Sequence, residues 1–322
     1  MAVYTKINSR DILSLSNDYK LGKIIKSEGI KKGIENTNYL LKTKTKKFIL
    51  TIFEKRVQKK DLPFFMNLME KLNQKNIICP KPLKTNANKH LSKIQNKPAS
   101  IVTFLKGKDK VTLNYKNCFD IGRNIAKFHK AGSKIKLYRE NSMSINKLDS
   151  LLKSIKFTTN KIDPKLKITL KGCLKDIKNQ WPKKLPSGII HGDLFVDNIF
   201  FNKNKFSGFI DFYFSSNDYL MYEIAICINA LCFDKKRDSF VINNTKIKHL
   251  INGYETIRII SKKEKDSLNI LCRGAALRYL LTRIYDYLNT PKTALIQIKN
   301  PNEYFQKLII HNNLNNYIDY YK

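Results

Sequence analysis

The spacing of apolar residues divides the first hundred positions into short strands and one amphipathic helix. Runs rich in β-branched and aromatic residues predict strands over 22–30, 38–42, 47–53 and 99–105. Over 61–73 the apolar residues recur at helical spacing, at Leu62, Phe65, Met66, Met69 and Leu72. The pattern therefore predicts a mainly β region that contains a single helix.

After residue 107 the apolar positions change to helical periodicity. Helices are predicted over 114–130, through most of 145–181, and one after another from 219 to the C-terminus. Only 188–212 is typical of short strands and loops. We therefore expect an α+β fold of two lobes, β-rich first and mainly helical afterwards, with a hinge near 102–107.

The composition excludes several classes of protein. With 322 residues, 42% of them hydrophobic, the chain has enough apolar side chains for a large core. Its longest uncharged apolar run, 224–233, is far shorter than the roughly 20 residues of a membrane span. The first residues lack the apolar segment of a secretory signal, and none of the six cysteines forms a CxxC pair. These features favour a cytoplasmic protein with reduced thiols.

The formal net charge of +35 raises the question of a nucleic-acid partner. Only nine of the 61 basic residues are arginine, the side chain best suited to bidentate recognition of phosphate and guanine. The lysines are spread over the whole chain together with many asparagines, which is typical of a drift in composition. We therefore expect no nucleic-acid partner.

One acidic window interrupts this basic chain. Between residues 186 and 234 there are six acidic residues and only two lysines, a local net charge of −4. Such a window suggests carboxylates that chemistry requires, with binding of a metal ion as the first candidate.

Within this window, two polar clusters lie at the ends of short apolar runs. The first runs from His191-Gly192-Asp193 to Asn198, and Asp211 follows thirteen residues later. The spacing suits phosphoryl transfer, in which Asp193 takes or orients the proton of an acceptor hydroxyl. Asn198 and Asp211 would then supply hard oxygen ligands to Mg²⁺ on the nucleotide phosphates.

These motifs resemble a known superfamily. His-Gly-Asp-x-x-x-x-Asn followed by Ile-Asp-Phe is similar to the catalytic and metal loops of the aminoglycoside phosphotransferases and choline kinases, which have a protein-kinase-like fold. Further segments resemble the homoserine kinases of the non-GHMP type, a family of this superfamily. These segments are 1–5, 33–39, 50–56, 273–283 and 301–304.

The resemblance implies ATP-dependent phosphorylation of the L-homoserine hydroxyl, a step of threonine biosynthesis, with ATP and Mg²⁺ as cofactors. It makes Asp193 the catalytic base and Asn198 and Asp211 the metal ligands. Glu223 stands where the superfamily usually has an aspartate that braces the catalytic loop, and we expect His191 to brace the loop as well.

The resemblance also divides the chain into an ATP-binding N-lobe, 1–104, and a C-lobe with the catalytic loops and substrate pocket, 105–322. The 29–38 turn would cover the phosphates and 102–107 would hold adenine. The candidate nucleotide-binding residues are Gly29, Gly33, Asn36, Asn38, Phe104 and Gly107.

The chain departs from the superfamily at the phosphate-binding lysine. Thr51 stands at that position of the third strand, and Glu70 would be the helix partner of the missing lysine. Either Lys55 or Arg56 reaches the phosphates from further along, or this family anchors ATP in another way.

Homoserine is a zwitterion, so its carboxylate needs an arginine and its ammonium an acid. Arg273, Arg278 and Arg283 are five residues apart and fall on different faces of a helix at about 100° per residue. We predict Arg278 or Arg283 for the carboxylate and Asp218 for the ammonium.

Two alternatives stay open. The first is another small-molecule kinase of this fold, acting on choline, an aminoglycoside or a thio-sugar. Choline would need an aromatic cage, for which Tyr213 and Phe214 are available, whereas Trp181 lies outside the motifs. The second is a basic polyanion-binding protein without catalysis, which the intact Asp193, Asn198 and Asp211 set disfavours.

Overall fold

The computed structural model describes residues 4–30, 36–54, 57–157, 165–290 and 299–321. These residues form two compact units. One contains the described residues up to Gly107 together with Ser207–Tyr213, and the other contains the remaining described residues.

The first unit is built on a five-stranded antiparallel sheet in the order β1-β2-β3-β5-β4. Burial alternates along the start of β2, which turns Thr37, Tyr39 and Leu41 towards the core. The hairpin between β4 and β5 turns at Gln95 and Asn96, both with positive φ as a tight hairpin turn requires. The strands are β1 Ile24–Gly29, β2 Thr37–Thr43, β3 Lys47–Ile52, β4 Leu91–Ile94 and β5 Lys97–Thr103.

Two helices accompany this sheet, α1 Ser9–Asp18 and α2 Leu62–Gln74. The periodicity predicted α2, and all five of its predicted apolar positions are buried. Helix α1 is a correction, because the apolar pattern indicated mainly strands here. It begins with a reciprocal capping box between Asn8 and Asp11 and buries Leu15 against the sheet.

The second unit is mainly helical, as the sequence predicted. Its helices are α3 Tyr115–Gly132, α4 Leu148–Ser154, α5 Lys165–Gln180, α6 Leu220–Leu231, α7 Asn244–Glu255, α8 Lys262–Asp266, α9 Leu268–Asn289, α10 Asn302–Asn312 and α11 Tyr317–Tyr321. Its short strands are β6 Ser187–Ile190, β7 Ile199–Asn202, β9 Ser216–Tyr219, β10 Phe233–Lys236 and β11 Ser239–Ile242. A further strand, β8 Lys205–Phe209, has residues in both units. β6 pairs with β9 in antiparallel register.

The apolar run at 224–233 lies in the core. Helix α6 is buried on nearly every face, which explains why it lacks a polar stripe. In the part of the chain that the structure describes, no helix is both long and apolar enough to cross a membrane. Each of the six cysteines is a free thiol, and only Cys173 is not fully buried.

Helices α3 and α7 pack unusually closely through two glycines. A Cβ at Gly122 would lie 1.9 Å from the main-chain oxygen of Leu250. A Cβ at Gly253 would lie 2.0 Å from the main-chain oxygen of Phe119. The two backbones therefore touch at positions where only glycine fits.

The expectation of uninterrupted helices after residue 219 is wrong at one place. β10 and β11 form an antiparallel hairpin, with Phe233 opposite Ile242 and Lys236 opposite Ser239. Arg237 adopts a positive φ in its turn. The alternation of polar and apolar residues here is too short to stand out between two helices.

Candidate active site

The 191–198 loop begins where β6 ends and is held by Glu223 of α6. Glu223 Oε1 accepts the N–H of Gly192 at 3.0 Å, and Oε2 accepts the N–H of His191. Because Glu223 is fully buried, both oxygens serve the loop and not solvent. Two consecutive N–H groups on one carboxylate fix the first two peptide units of the loop.

The environment of Glu223 keeps its carboxylate ionised. Burial alone would raise the pKa of Glu223, but the neighbouring His129 and His191 hold it below its ordinary value of 4.5. His129 Nε2 lies 3.8 Å from Glu223 Oε2, and its Nδ1 lies 2.8 Å from the Tyr254 hydroxyl oxygen. The ionised form is the one that can accept both loop N–H groups.

The loop conformation requires glycine at position 192. Gly192 has a φ of 78°, and a Cβ there would lie 2.9 Å from the main-chain oxygen of Phe214. His191 is fully buried, and its carbonyl accepts the Ser215 hydroxyl at 3.4 Å. His191 therefore contributes hydrogen bonds to the loop through its main chain.

Asp193 and Asn198 are brought together by the loop. Asn198 Nδ2 donates to the main-chain oxygen of Asp193 at 2.8 Å and to its Oδ2 at 3.2 Å. Burial raises the pKa of Asp193 above its ordinary value, although the positive charge of Arg278 opposes this. A raised pKa brings the carboxylate closer to the range in which a general base works best.

Tyr279 of α9 contacts the same loop from another helix. Its hydroxyl donates to the Gly192 carbonyl at 3.2 Å and lies 3.5 Å from Asp193 Oδ1. Its ring packs edge-to-face on Phe195, with centroids 4.9 Å apart. The peptide between Gly192 and Asp193 is thus held by a residue that was not among the predicted site residues.

The proposed cation ligands offer the right donor chemistry. With its Nδ2 directed at Asp193, Asn198 retains Oδ1, an amide oxygen, for a cation. Asp211 is exposed and follows β8 with a φ of 64°, so the chain turns sharply there. Among the described residues, no three His, Cys, Asp or Glu side chains cluster as a metal site. A cation would therefore need phosphate and water oxygens as further ligands, which is typical of Mg²⁺.

The residues that follow Asp211 are anchored within the first unit. The Tyr213 ring packs edge-to-face against Phe53 and Phe65, with centroids 5.1 and 5.7 Å apart. Burial raises the pKa of Tyr213 far above its ordinary value. Tyr213 is therefore a packing residue of the first unit.

Three of the four predicted residues of the phosphate turn can be placed. Gly29 ends β1 opposite Tyr39. Asn36 Oδ1 accepts the Glu54 N–H at 3.4 Å, and Asn38 Oδ1 accepts the Thr51 hydroxyl at 2.8 Å. Gly33 lies outside the described residues.

The predicted adenine segment follows β5. The Phe104 N–H donates to the Lys47 carbonyl at 3.3 Å, and Lys47 Nζ lies 5.6 Å from the centroid of the Phe104 ring. Gly107 has a φ of 131°, which few other residues adopt.

Thr51 lies on β3 and is buried, so this strand presents no lysine at that position. Glu70 of α2 pairs instead with Lys84 at 2.9 Å and with His90 at 3.2 Å. Lys55 and Arg56 lie outside the described residues.

The three arginines of α9 have different surroundings. Arg273 Nη2 pairs with Asp176 Oδ2 at 2.5 Å. Arg283 Nη1 pairs with Glu303 Oε2 at 2.7 Å and also donates to the Asn300 carbonyl at 3.0 Å. Arg278 is buried, and within the described residues its Nε and Nη1 have no hydrogen-bond partner.

Asp218 lies on β9, next to α6. Its Oδ2 accepts Asn141 Nδ2 at 2.6 Å, and its Oδ1 accepts the Tyr219 N–H at 2.7 Å. Burial raises the pKa of Asp218, and the positive charge of Arg278 acts in the opposite direction. Asp218 and Arg278 therefore share one electrostatic environment.

Residues 26–258 match the Phosphotransferase enzyme family. The chain is 40% identical to a homoserine kinase of Rhizobium etli (strain CIAT 652) over 320 residues, 99% of both chains. It is 41% identical to a homoserine kinase of Paramagnetospirillum magneticum over 317 residues, 97% of this chain and 96% of the relative.

This chain belongs to the homoserine kinase family. The family recognised from the sequence motifs is thereby confirmed, and so is an ATP-dependent phosphotransferase with an alcohol acceptor.

Solved structures confirm the expected fold of this family member. An amicoumacin kinase aligns over 95% of this chain and 92% of its own, with a TM-score of 0.71 and 13% identity. Choline kinase from Cryptosporidium parvum aligns over 95% of both chains, with a TM-score of 0.66 and 14% identity. At such low identity these matches show the protein-kinase-like fold alone.

Two residues of this homoserine kinase family member had no individual signal in the sequence. Tyr279 contacts the loop, and Glu303 pairs with Arg283. Both lie in segments that resemble the family, 273–283 and 301–304, but spacing alone did not distinguish them from core or surface residues.

Proposed function

We propose that the chain transfers the γ-phosphoryl group of ATP to the side-chain hydroxyl of L-homoserine, giving O-phospho-L-homoserine and ADP for threonine biosynthesis. The observation that carries this proposal is the identity of about 40%, over nearly the full length, to proteins named homoserine kinase. The 191–198 loop supplies the chemistry, because it presents Asp193 in a fixed position.

Asp193 is the residue that we assign to the acceptor hydroxyl. The hydroxyl oxygen bonds to the γ-phosphorus, the bond from that phosphorus to the β–γ bridging oxygen breaks, and ADP leaves. The hydroxyl proton passes to a carboxylate oxygen of Asp193. Asn198 and Tyr279 keep that carboxylate in place, so it need not reorganise when the hydroxyl arrives.

Asn198 Oδ1 and the Asp211 carboxylate are the oxygens that we assign to a divalent cation, with Mg²⁺ as the predicted ion. Such an ion, when bound, neutralises charge on the nucleotide phosphates. Both residues offer the hard oxygens that it prefers.

A cytoplasmic location of the protein is a further prediction from the sequence.

The nucleotide roles also remain proposals. Residues 1–104 would bind ATP, with Gly29, Gly33, Asn36 and Asn38 near the phosphates and Phe104 and Gly107 near adenine. Residues 105–322 would carry the catalytic loop and the substrate pocket. Asn38 is engaged by buried Thr51, so its side chain would shape the turn and leave phosphate contacts to main-chain N–H groups.

A coupled assay of ADP release with MgATP tests the proposal. L-homoserine is compared with L-serine, L-threonine, choline and kanamycin. Turnover confined to L-homoserine is the expected result. Turnover on another alcohol alone would keep the phosphotransferase chemistry and reject the substrate. No turnover at all, together with strongly salt-dependent binding to a polyanion, would favour the non-catalytic alternative.

A further inference from the structure

Arg278 carries unused hydrogen-bond donors in the interior of the second unit. Only 2% of the residue is exposed, and its Nε and Nη1 are buried without a hydrogen-bond partner in the part of the chain that the structure describes. The guanidinium carbon lies 4.8 Å from the centroid of the Tyr279 ring and 5.9 Å from that of Phe214. Aromatic faces and a hydrogen bond to the Tyr222 side chain thus hold the guanidinium in place, while Nε and Nη1 stay unpaired.

The other two arginines of α9 differ because each is ion-paired, although Arg273 Nε is also buried without a hydrogen-bond partner among the described residues. Arg273 and Arg283 each have a carboxylate partner, Asp176 and Glu303 respectively. A guanidinium stays protonated at any physiological pH, so burial does not neutralise Arg278 as it would a lysine. A buried charge with unpaired donors is costly, and an incoming anion would remove that cost.

Arg278 lies beside the proposed catalytic residues. Tyr279, the next residue along α9, contacts Asp193 through its hydroxyl at 3.5 Å. The charge of Arg278 counters the effect of burial on the pKa of both Asp193 and Asp218. An anionic group bound at Arg278 would therefore lie close to the acceptor hydroxyl on the same small substrate.

We propose that Arg278, and not Arg283, binds the α-carboxylate of the amino-acid substrate through an unpaired donor, Nε or Nη1. The inference rests on the proposed function, because it takes the acceptor to be an amino acid. Nε–H and Nη1–H lie on different edges of the guanidinium, and each edge can donate a charge-assisted hydrogen bond to a carboxylate oxygen. The transferring phosphoryl group is the other anion that these donors would fit, and the experiment separates the two.

The test compares L-homoserine with 3-amino-1-propanol, which has the same hydroxyl and amine but no carboxylate. In Arg278→Gln we expect kcat/KM for L-homoserine to fall by roughly 10²–10³-fold, the scale for truncating one side of a buried charge pair. The kcat/KM for 3-amino-1-propanol should change less than about threefold. Any indirect effect on Asp193 affects both substrates equally and cancels in the ratio.

Arg273→Lys is the matched control, because it alters an arginine of the same helix that already pairs with Asp176. It should keep the wild-type ratio between the two substrates. If Arg278→Gln does not fold, Arg278→Lys provides the second variant, since it keeps the charge and loses the planar set of N–H donors. It should still reduce the ratio, and L-homoserine should no longer raise its melting temperature.

The remaining outcomes would overturn either the inference on Arg278 or the proposed function. An equal loss on both substrates would assign Arg278 to the phosphoryl group or to the scaffold, and an unchanged ratio would exclude it from substrate binding. Either result overturns the inference while wild-type turnover on L-homoserine stands. A wild-type enzyme that does not phosphorylate L-homoserine would instead overturn the proposed function.

Discussion

Asn198 holds Asp193 at two points, donating from one amide nitrogen to its main-chain oxygen at 2.8 Å and to its carboxylate Oδ2 at 3.2 Å. The amide thus closes a short loop around the proposed base and sets the direction of the carboxylate. The Asn198 oxygen remains for a cation, so one side chain would position both the proton acceptor and the nucleotide's ion.

Replacing Asp193 with Asn should remove the base and leave the loop intact. The new side chain can still accept the Asn198 hydrogen bond, so we expect normal folding and a loss in kcat of about 10²–10⁴-fold. The measurement is steady-state turnover on L-homoserine with circular dichroism of the variant. Asp197→Asn is the matched control, because Asp197 lies in the same loop and faces Lys299 at 4.0 Å. Near-normal turnover of Asp193→Asn would show that the base is elsewhere.

Asp211→Ala tests the cation ligand. We expect saturation with Mg²⁺ to move to much higher concentration, with kcat recovering only partly as the ion is added, because a hard anionic ligand has been lost. Turnover is measured across a Mg²⁺ series at constant ATP. Asp238→Ala removes an exposed acid of the β10–β11 turn and should leave the series unchanged. An Asp211→Ala enzyme with the wild-type Mg²⁺ dependence would argue for a purely structural Asp211.

Glu223→Gln should weaken folding and change its dependence on pH. Gln keeps one acceptor but turns an N–H₂ towards the second loop N–H, at a cost of about 1–3 kcal/mol in the free energy of unfolding. The pKa of Glu223 lies below 4.5 in the folded protein. Its contribution is therefore present above about pH 4.5 and is lost as pH falls through the folded-state pKa.

Urea unfolding at several pH values measures the free energy of unfolding of wild type and Glu223→Gln. The difference between the two should shrink below about pH 4.5. Glu255→Gln is the comparison variant, since Glu255 forms a partly exposed pair with Lys265 at 3.0 Å. It should cost less than about 1 kcal/mol. If the difference in unfolding free energy between wild type and Glu223→Gln does not vary with pH, Glu223 is not an ionised carboxylate in the folded protein.

Gly122→Ala should be strongly destabilising because its Cβ would lie 1.9 Å from a main-chain oxygen of α7. We expect a loss of several kcal/mol, more than the usual cost of overpacking, since two helix backbones must separate. Gly172→Ala is the opposite case, because its Cβ would have no neighbour within 4 Å at an exposed position of α5. That change should stabilise by about 0.5–1 kcal/mol. Thermal unfolding of the two variants is the measurement. If Gly122→Ala and Gly172→Ala melt at similar temperatures, the close packing of α3 against α7 is refuted.

Features governed by neighbouring residues were predictable, and features governed by distant contacts were not. Helix α2 follows from the spacing of Leu62, Phe65 and Met69, and the 191–198 loop follows from its short polar motif. Helix α1 was missed because its signal is the Asn8–Asp11 cap and not a long apolar stripe.

The partners of the three arginines of α9 could not be predicted from the sequence either. Their spacing showed that they face different directions, but their partners Asp176 and Glu303 lie 97 and 20 residues away in the chain. Only the folded chain distinguishes the paired arginines from Arg278.

The loop around Gly192 is held by two helices at once. Glu223 of α6 accepts its N–H, Tyr279 of α9 donates to its carbonyl, and Asn229 of α6 donates to the Cys272 carbonyl of α9 at 3.1 Å. Local opening of the loop would break bonds to both helices, so the loop belongs to the same cooperative folding unit as the helical core. The amide hydrogen of Gly192 should therefore exchange with solvent deuterium about as slowly as the amides of α6.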